Sequence, residues 1–346
     1  MGRSLAIGKT IPAGPVVPFD LRAHGLRATG RPATLIAPVR IADNKMSLPA
    51  LSLVPVPSRR RQTVALAQEA EARGFAGVFT PSMFGAMPLS GALAMGTERL
   101  LFGPAIAPIY ARAPLDLAQS AAFLHEVSGG RFRLGLGVAH APSHQRLGVR
   151  AGKPLADMRD YVARLRAVEG IGALPPIVLA ALRPRMVALA GEIAEGVVFA
   201  NTIRARMPDS LAHLPPGRRA DPGFFVGAMI PTCVSADLDA ARAVHRRTLT
   251  RYAGLPNYRN YWRKAGFAAE MAAIETALAE GREADIPGLL TDRWIDQITL
   301  SGPAEAIRDG VAAWVAAGVT TPILVPSSVT GGQFQAVAEI FAAFAG

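Results

Sequence analysis

The sequence predicts a closed (β/α)8 barrel, also called a TIM barrel, with a helical insertion late in the chain. Two observations predict this fold class. From residue 47 onward, short apolar segments alternate with segments of helical periodicity, which is typical of a parallel sheet covered by helices. Eight such strand–helix units need about 250 residues. The 346-residue chain has this length, with an excess between Ala236 and Thr299.

Each predicted strand is a mostly apolar run, as expected of a strand that is buried on both faces. The eight runs are, in chain order, Ala50–Val56, Phe75–Thr80, Leu100–Tyr110, Phe132–Val138, Ile177–Ala181, Gly196–Ala200, Gly223–Val234 and Thr321–Val325. The predicted helices between them include Arg59–Arg73, Leu115–Val127, Met158–Val168 and Arg185–Ile193. In the first helix, Val64, Ala67 and Ala70 recur at helical spacing, and Gly74 supplies a stop signal.

Residues 1–46 differ in composition from the rest of the chain. They are rich in proline, glycine and arginine, and residues 1–45 carry seven basic against two acidic residues. We therefore predict a disordered basic extension over residues 1–46 and one barrel domain over residues 47–346. Two alternatives stay open. One is a targeting arm, although the unbroken apolar stretch of a secretory signal is missing, and the other is a protein whose translation begins at Met46 rather than Met1.

The composition excludes several classes of protein. The chain is 50% hydrophobic, but no apolar run reaches the length of a membrane helix, so no membrane association is expected. Cys233 is the only cysteine, which rules out an intramolecular disulfide and is typical of a cytoplasmic protein. The net charge of +11 comes without a nucleic-acid-binding motif, so no nucleic-acid partner is expected.

The segment 128–142 contains a loop that lies at the ligand-binding end of the predicted barrel. Two glycines supply a turn, an apolar strand follows and ends at Val138, and a polar loop with His140 comes next. Ligands of parallel barrels bind beyond the carboxyl ends of the strands. His140 is therefore a candidate for contact with a ligand, and a hydrogen-bonded loop histidine is the alternative.

Two other interpretations of this segment fail. A dinucleotide-binding glycine motif lacks its third glycine, since His140 stands there, and Pro142 is expected to interrupt any helix that begins at this point. His140 and His144 have the spacing of a zinc pair, but Pro142 separates them and no third ligand follows at a suitable spacing. No metal site is therefore expected.

Cations follow the fifth and sixth predicted strands. Pro184 suits the first turn of a helix, and exposed amide groups at such a start attract phosphate. Arg183 and Arg185 add positive charge there, and the segment 201–204, which ends in Arg204, follows the next strand. The two loops have the chemistry to hold one anionic tail. A plain connection with solvated arginines is the alternative.

Aromatic residues cluster in the late insertion. The segment Leu255–Phe267 contains Tyr258, Tyr261 and Trp262 in a chain that is only 6% aromatic. This concentration favours a lid or an interface. A helix that packs its aromatic side chains on the outside of the barrel is the alternative.

Several segments together resemble the luciferase-like monooxygenase family of flavin- and deazaflavin-dependent oxidoreductases, and specifically its F420-dependent branch. The resemblance covers residues 47–346 and rests on the segments Glu69–Phe79, Ile109–Pro114, Ser128–Pro142, Gly152–Ala167 and Leu179–Val198. It implies a (β/α)8 barrel with the deazaflavin or flavin ring in its mouth, and a homodimer. It also implies a cis peptide bond before a residue other than proline, within residues 103–106 of the third strand.

The same resemblance implies roles for individual residues. The end of the fourth strand lines the ring and the substrate, and the loops after the fifth and sixth strands hold the phosphate tail. The implied cofactor contacts are Pro104, Ala105, Ile106, Gly137, Val138, Ala181, Leu182, Arg183, Pro184, Asn201, Thr202 and Arg204. The expected substrate pocket contains Ser82, Met83, Tyr110, Tyr258 and Trp262.

His140 is the candidate catalytic residue. Relatives that oxidise sugar phosphates carry a glutamate at this position. Imidazole titrates near neutral pH, so His140 is suited to manage the proton that accompanies hydride transfer. Those relatives also carry an acid and a histidine where this chain has Ser82 and Met83, so their substrate class is not carried over.

The expected function is hydride transfer between F420 and a small organic substrate. The nearest alternative is an FMN-dependent monooxygenase that uses reduced flavin and O2. A non-catalytic, cofactor-binding relative is a further alternative, motivated by Ser82 and Met83.

Overall fold

Parallel strands close into a barrel in the computed structural model of the chain, which describes residues 48–82 and 85–345. The strands are β1 (Ala50–Ser52), β2 (Gly77–Pro81), β3 (Leu101–Ala105), β4 (Ala107–Pro108), β5 (Leu134–Gly137), β6 (Ile177–Ala180), β7 (Gly196–Ala200), β8 (Phe225–Val234), β9 (Leu300–Gly302) and β10 (Thr321–Ser327). Their order is β3-β2-β1-β10-β8-β7-β6-β5-β4, with β9 beside β8, and the pairings are parallel. β3 and β4 follow each other directly and together form the third strand of the barrel. We call each of the eight barrel strands a stave, so β3 and β4 are stave three, and the described strands form a closed ring of eight staves. The predicted (β/α)8 barrel is confirmed.

Helices cover the barrel and form the late insertion. They are α1 (Arg60–Ala72), α2 (Ala86–Gly96), α3 (Pro114–Val127), α4 (Ala141–Leu147), α5 (Pro154–Arg166), α6 (Pro184–Ile193), α7 (Met207–Leu211), α8 (Pro216–Arg219), α9 (Leu238–Ala253), α10 (Pro256–Lys264), α11 (Ala268–Ala279), α12 (Ile286–Leu289), α13 (Asp292–Ile298), α14 (Ala304–Ala316) and α15 (Gln333–Ala343). Proline lies in the first turn of α3, α5, α6 and α10, where its missing N–H costs no intrahelical hydrogen bond. The predicted insertion is confirmed and consists of α9 to α13.

Three details differ from the predicted elements. The single strand predicted over Leu100–Tyr110 is divided into β3 and β4 at the bond between Ala105 and Ile106, which is cis and lies where the resemblance implies it. The short strand β9 and the helices α2, α7 and α8 have no counterpart in the prediction. The expectation that Pro142 prevents a helix is wrong, because α4 begins at Ala141 and accommodates Pro142 in its first turn.

Two predictions fall outside the described residues. These are the extension over residues 1–46 and the placement of Met83 in the substrate pocket. The domain boundary at residue 46 therefore stays a prediction. Within residues 48–82 and 85–345, no helix has the length and apolar character that a membrane span requires.

Side chains that point inward fill the barrel. Six of them form one buried cluster, which consists of Ala50, Phe79, Ile106, Val178, Val198 and Ile323. The glycines of β5 make room for stave three. A Cβ atom on Gly137 would lie 2.5 Å from Cδ1 of Ile106, and one on Gly135 would overlap the carbonyl oxygen of Pro104. The glycine–leucine–glycine sequence is therefore explained by the close approach of two staves.

A buried arginine ties together the amino-terminal end of the barrel. Arg131 is 7% exposed and donates hydrogen bonds to the carbonyl oxygens of Ala94, Thr97, Leu100 and Ser128 and to Oγ1 of Thr97. These acceptors lie at the end of α2, before β3 and after α3. Because hydrogen bonds from a charged donor are stronger than neutral ones, Arg131 fixes these connections relative to the start of β5.

The insertion has a core of its own. Trp262 and Trp294 are completely buried there and meet edge to face at 4.7 Å. The insertion is attached to the barrel through α9, where Nε2 of buried His245 lies 3.2 Å from the carbonyl oxygen of Leu300 in β9. Burial lowers the pKa of His245 to about 4. The ring is therefore neutral at pH 7 and donates from Nε2 to that carbonyl oxygen.

We expect the substitution Gly135→Ala to destabilise the barrel. The new methyl group would overlap backbone atoms of Pro104, and overpacking of this kind costs about 1 to 3 kcal/mol. Equilibrium unfolding in urea measures the change in the free energy of unfolding. Gly217→Ala is the matched control, because no atom lies within 4 Å of a Cβ atom placed there. Equal stability of the two variants would contradict the close approach of the staves.

Candidate active site

The carboxyl ends of the staves form one mouth, because all the staves are parallel. Apart from Tyr258 and Trp262 on α10, the described site residues lie at or just after the carboxyl ends of β2, stave three, β5, β6 and β7, and so at this end. Helix α10 of the insertion contacts the turns after β5 and β7, and Leu182, after β6, packs against the core of the insertion. The insertion thus brings three of the predicted loops together.

His140 lies in the turn after β5. Ala139 has a left-handed backbone, with a φ of 57°, and the carbonyl oxygen of His140 then accepts hydrogen bonds from the N–H groups of Ser143 and His144 at the start of α4. Burial lowers the pKa of the His140 imidazole, and Coulombic interactions with His144 and Arg251 lower it further. The neutral imidazole therefore predominates at pH 7.

An aromatic stack from the insertion lies against His140. The ring centroids of Tyr258 and His140 are 5.3 Å apart, and the Tyr258 hydroxyl oxygen lies 3.3 Å from Nε2. Tyr258 stacks on Trp262 at 5.4 Å, and Nε1 of Trp262 donates to the carbonyl oxygen of Asn201 at 2.9 Å. Trp262 has no exposed surface. Of the two pocket residues predicted from the aromatic segment, Tyr258 contacts His140 and Trp262 packs against the far side of Tyr258.

The turn after β7 is buried beneath the same helix. Asn201 has a left-handed backbone, with a φ of 54°, and Thr202 is 2% exposed. The hydroxyl oxygens of Thr202 and Tyr261 lie 2.8 Å apart, and the N–H of Ile203 donates to the Tyr261 oxygen. The Thr202 hydroxyl group is thus engaged with the insertion, and its contact with a cofactor stays a prediction. The sequence analysis included Tyr261 in the aromatic segment without giving it a partner.

Unpaired positive charge lies beyond β6 and β7. Arg183 directly precedes α6, Pro184 is the first residue of that helix as predicted, and Arg185 follows; all three are exposed. Arg204 begins a short 3-10 helix after β7. Within the described residues, the side chains of Arg183, Arg185 and Arg204 form no ion pair and no hydrogen bond. Their guanidinium groups are available to an anionic ligand.

Stave three supplies an apolar floor to the mouth. Ile106 is 8% exposed and belongs to the cluster that fills the barrel, and Ala105 packs against this cluster. Pro81 pairs with Ala105, which places Ser82 beside Ile106. The Ser82 hydroxyl oxygen is buried and has no hydrogen-bond partner within the described residues. Because such a group is costly to leave unpaired, it marks a place where a ligand can bind.

Tyr110 is tied to α5 rather than to His140. Its hydroxyl group donates to Oδ2 of Asp157 at 2.6 Å, and its ring meets His144 edge-on at 5.2 Å. Nε2 of His144 lies 2.6 Å from the carbonyl oxygen of Val138. Tyr110 therefore braces the turn that carries His140. The sequence analysis missed Asp157, for which an acidic residue in the first turn of a helix was the available signal.

The mouth combines three kinds of chemistry: an apolar floor, a neutral imidazole and a set of unpaired cations. This combination suits a ligand that has a flat apolar ring at one end and an anionic tail at the other. The imidazole adds a group that can manage a proton beside such a ring.

Comparison with known proteins places this site in a family. Residues 42–321 match the family model described as luciferase-like monooxygenase. A putative coenzyme F420-dependent oxidoreductase of Mycobacterium tuberculosis is 26% identical over 336 residues, which cover 83% of this chain and 94% of that protein.

Two solved structures show the same fold. The coenzyme F420-dependent tetrahydromethanopterin reductase of Methanopyrus kandleri has a TM-score of 0.67 at 18% identity, with 86% of this chain and 97% of that chain covered. The oxygenating constituent of 3,6-diketocamphane monooxygenase of Pseudomonas putida, in complex with FMN, has a TM-score of 0.56 at 14% identity, with 87% and 96% covered. Because the family model matches most of the chain, we conclude that the chain belongs to the luciferase-like monooxygenase family.

Proposed function

We propose that the protein binds coenzyme F420 in the mouth of the barrel and catalyses hydride transfer between F420 and a small organic substrate. The observation that carries this proposal is the set of unpaired guanidinium groups of Arg183, Arg185 and Arg204. F420 has an anionic tail, which these cations would bind. The similarity to an F420-dependent oxidoreductase of M. tuberculosis supports the same cofactor.

The residues of the mouth fit the cofactor at its other end as well. Ala105, Ile106 and Val138 offer apolar surface to a flat ring, and the unpartnered hydroxyl group of Ser82 offers it a hydrogen bond. The absence of a side chain on Gly137 leaves the space that Ile106 occupies. Of the cofactor contacts that the family resemblance implies, Ala105, Ile106 and Val138 would therefore hold a flat ring.

Bound F420 supplies a carbon that gives or takes a hydride. The protein must then manage the proton that a substrate heteroatom gains or loses. His140 is the group for this role, because it lies at the end of β5 and its lowered pKa keeps it neutral at pH 7. The apolar floor around Ile106 excludes water from the reacting atoms.

The first prediction from the proposed function concerns cofactor choice. We expect apo-protein to bind F420 with a Kd in the micromolar range or tighter, measured by cofactor fluorescence. Arg183→Ala combined with Arg204→Ala should weaken binding by about 100-fold, since each charge-assisted hydrogen bond is worth about tenfold. Arg164→Ala is the control, because Arg164 is exposed on α5 and pairs with Asp160. It should leave the Kd unchanged.

A parallel titration with FMN separates this proposal from its alternative. FMN also carries a phosphate, and the P. putida neighbour binds it. Tighter binding of FMN than of F420, with rapid O2 uptake by the reduced complex, would replace the proposal with an FMN-dependent monooxygenase. Binding of neither cofactor would refute both functions.

The second prediction concerns His140. We expect His140→Gln to lower kcat by about 100-fold or more, as for loss of a general acid or base, while the Kd for F420 stays unchanged. Change in F420 absorbance during turnover, with a panel of small alcohols and ketones, measures the rate. His213→Gln is the control, because His213 is exposed between α7 and α8. Full activity of His140→Gln would remove His140 from the mechanism, and tight F420 binding without turnover of any substrate would favour a non-catalytic carrier.

We also propose that the protein is a homodimer that associates through α2 and α3. Helix α2 contains no charged residue, and Met95, Leu115 and Phe123 are exposed apolar side chains on these two helices. A groove of about 400 Å³ lies between them and contains Arg112. Two copies of a chain with a net charge of +11 repel each other. The charge of Arg112 is offset by its ion pair with Asp116, so this face is one on which a second copy binds at low electrostatic cost.

The third prediction tests this dimer. Sedimentation velocity should show a dimer for the wild type and a monomer for Phe123→Glu, because Phe123 is 63% exposed and lines this groove. Val315→Glu is the matched control, since Val315 is an exposed apolar residue on α14. A monomeric wild type, or a dimer that survives Phe123→Glu, would contradict the proposal.

The proposed location is the cytoplasm. The single cysteine, Cys233, is buried, and burial raises the pKa of its thiol to about 11. A thiol in this state is unreactive and needs no oxidising compartment.

A further inference from the structure

We propose that Tyr258 is a positioning residue for His140: its hydroxyl group donates a hydrogen bond to Nε2 and so fixes the imidazole in the tautomer that carries its proton on Nδ1. The catalytic meaning of this inference rests on the proposed function. The tautomer itself is a property of the protein without a ligand, and it can be measured without any cofactor.

The position of Tyr258 is determined by the aromatic residues around it. Its ring stacks on Trp262 at an interplanar angle of 25° and meets Tyr252 edge-on at 5.4 Å. Tyr258 is only 6% exposed. Because these contacts have already restricted the ring, the hydrogen bond to His140 costs little further conformational entropy.

The direction of this hydrogen bond follows from the proton that the Tyr258 hydroxyl group carries. Tyr258 is buried, and burial raises the pKa of its hydroxyl group. The phenol therefore keeps its proton at pH 7, and a buried proton of this kind requires an acceptor.

Among the described residues, the hydrogen-bonded atom that can accept this proton is Nε2 of His140, at 3.3 Å. If Nε2 carried a proton, it would also donate to the phenol oxygen, and the buried phenol proton would have no partner. A buried donor without an acceptor costs more than the net gain from a typical hydrogen bond. The arrangement that satisfies both groups is donation from the Tyr258 hydroxyl group to Nε2 of His140.

This tautomer decides what His140 offers to a ligand. Nδ1 has no hydrogen-bond partner within the described residues, and it is not one of their buried unsatisfied atoms. His140 therefore presents an N–H group at Nδ1, and not a lone pair. A donor at this position recognises an acceptor atom, so the resting site is suited to bind the carbonyl form of a substrate through its oxygen.

Two other groups near His140 also affect its pKa, and the contacts that hold them do not involve the Tyr258 hydroxyl group. His144 and Arg251 disfavour the imidazolium cation. His144 contacts the carbonyl oxygen of Val138, and Arg251 donates to the hydroxyl oxygen of Tyr252. A variant that lacks only the Tyr258 hydroxyl group keeps these contacts.

Nitrogen-15 NMR of apo-protein labelled at histidine tests the assignment. In the wild type at pH 8, we expect a protonated Nδ1 and an unprotonated Nε2 for His140, with His140→Gln used to identify the signals. In Tyr258→Phe, the pKa of His140 should rise by about one unit, because the lone pair of Nε2 is no longer engaged by a donor. Tyr161→Phe is the matched control, because the Tyr161 hydroxyl group donates to the carbonyl oxygen of Arg112 on the side of α5, and it should leave this pKa unchanged.

The sign of the shift separates the two possible directions of the bond. A fall in the His140 pKa in Tyr258→Phe, or a protonated Nε2 in the wild type, would show that Tyr258 accepts the bond and would overturn the proposal. An unchanged pKa would overturn it as well. The wild-type spectrum decides the tautomer even where a variant does not fold. Failure of the same apo-protein to bind F420 would count against the proposed function and leave the tautomer result standing.

Discussion

The close approach of stave three to β5 is the contact on which the rest of the site depends. Gly135 and Gly137 carry no Cβ atom, and the backbone of Pro104 and the side chain of Ile106 occupy that space. This allows Ile106 to enter the cluster that fills the barrel. It also keeps β4 within hydrogen-bonding distance of β5. Closure of the ring and the apolar floor of the mouth therefore depend on the same two positions.

The mouth needs a second constraint, because the turns after β5 and β7 do not hold each other in place. Helix α10 supplies it through Tyr258, which contacts His140, and through Trp262, which bonds the carbonyl oxygen of Asn201. Aromatic side chains suit this role because they bury a large area with few rotatable bonds and still offer one polar atom. The insertion is therefore part of the site, and the geometry of His140 depends on its packing.

The sequence predicts the staves well because strands buried on both faces read as apolar runs. It does not predict the division of Leu100–Tyr110, because the residues on both sides of Ala105 are equally apolar. The aromatic segment is visible in the sequence, but its partner is not. Tyr258 and His140 are 118 positions apart, and no local pattern reports such a contact. For Trp262, composition alone does not show whether the side chain lines the substrate pocket or is buried behind Tyr258.

The neighbours of His140 give a physical reason for an imidazole at this position. Arg251 acts on His140 through its positive charge. A carboxylate in the same place would interact favourably with this charge, and the charge of Arg251 would then be partly offset by the protein rather than by a ligand. A neutral imidazole that is held by Tyr258 does not offset this charge. Positive charge around the mouth therefore stays available to an anionic ligand, while the imidazole keeps its own N–H for a neutral acceptor.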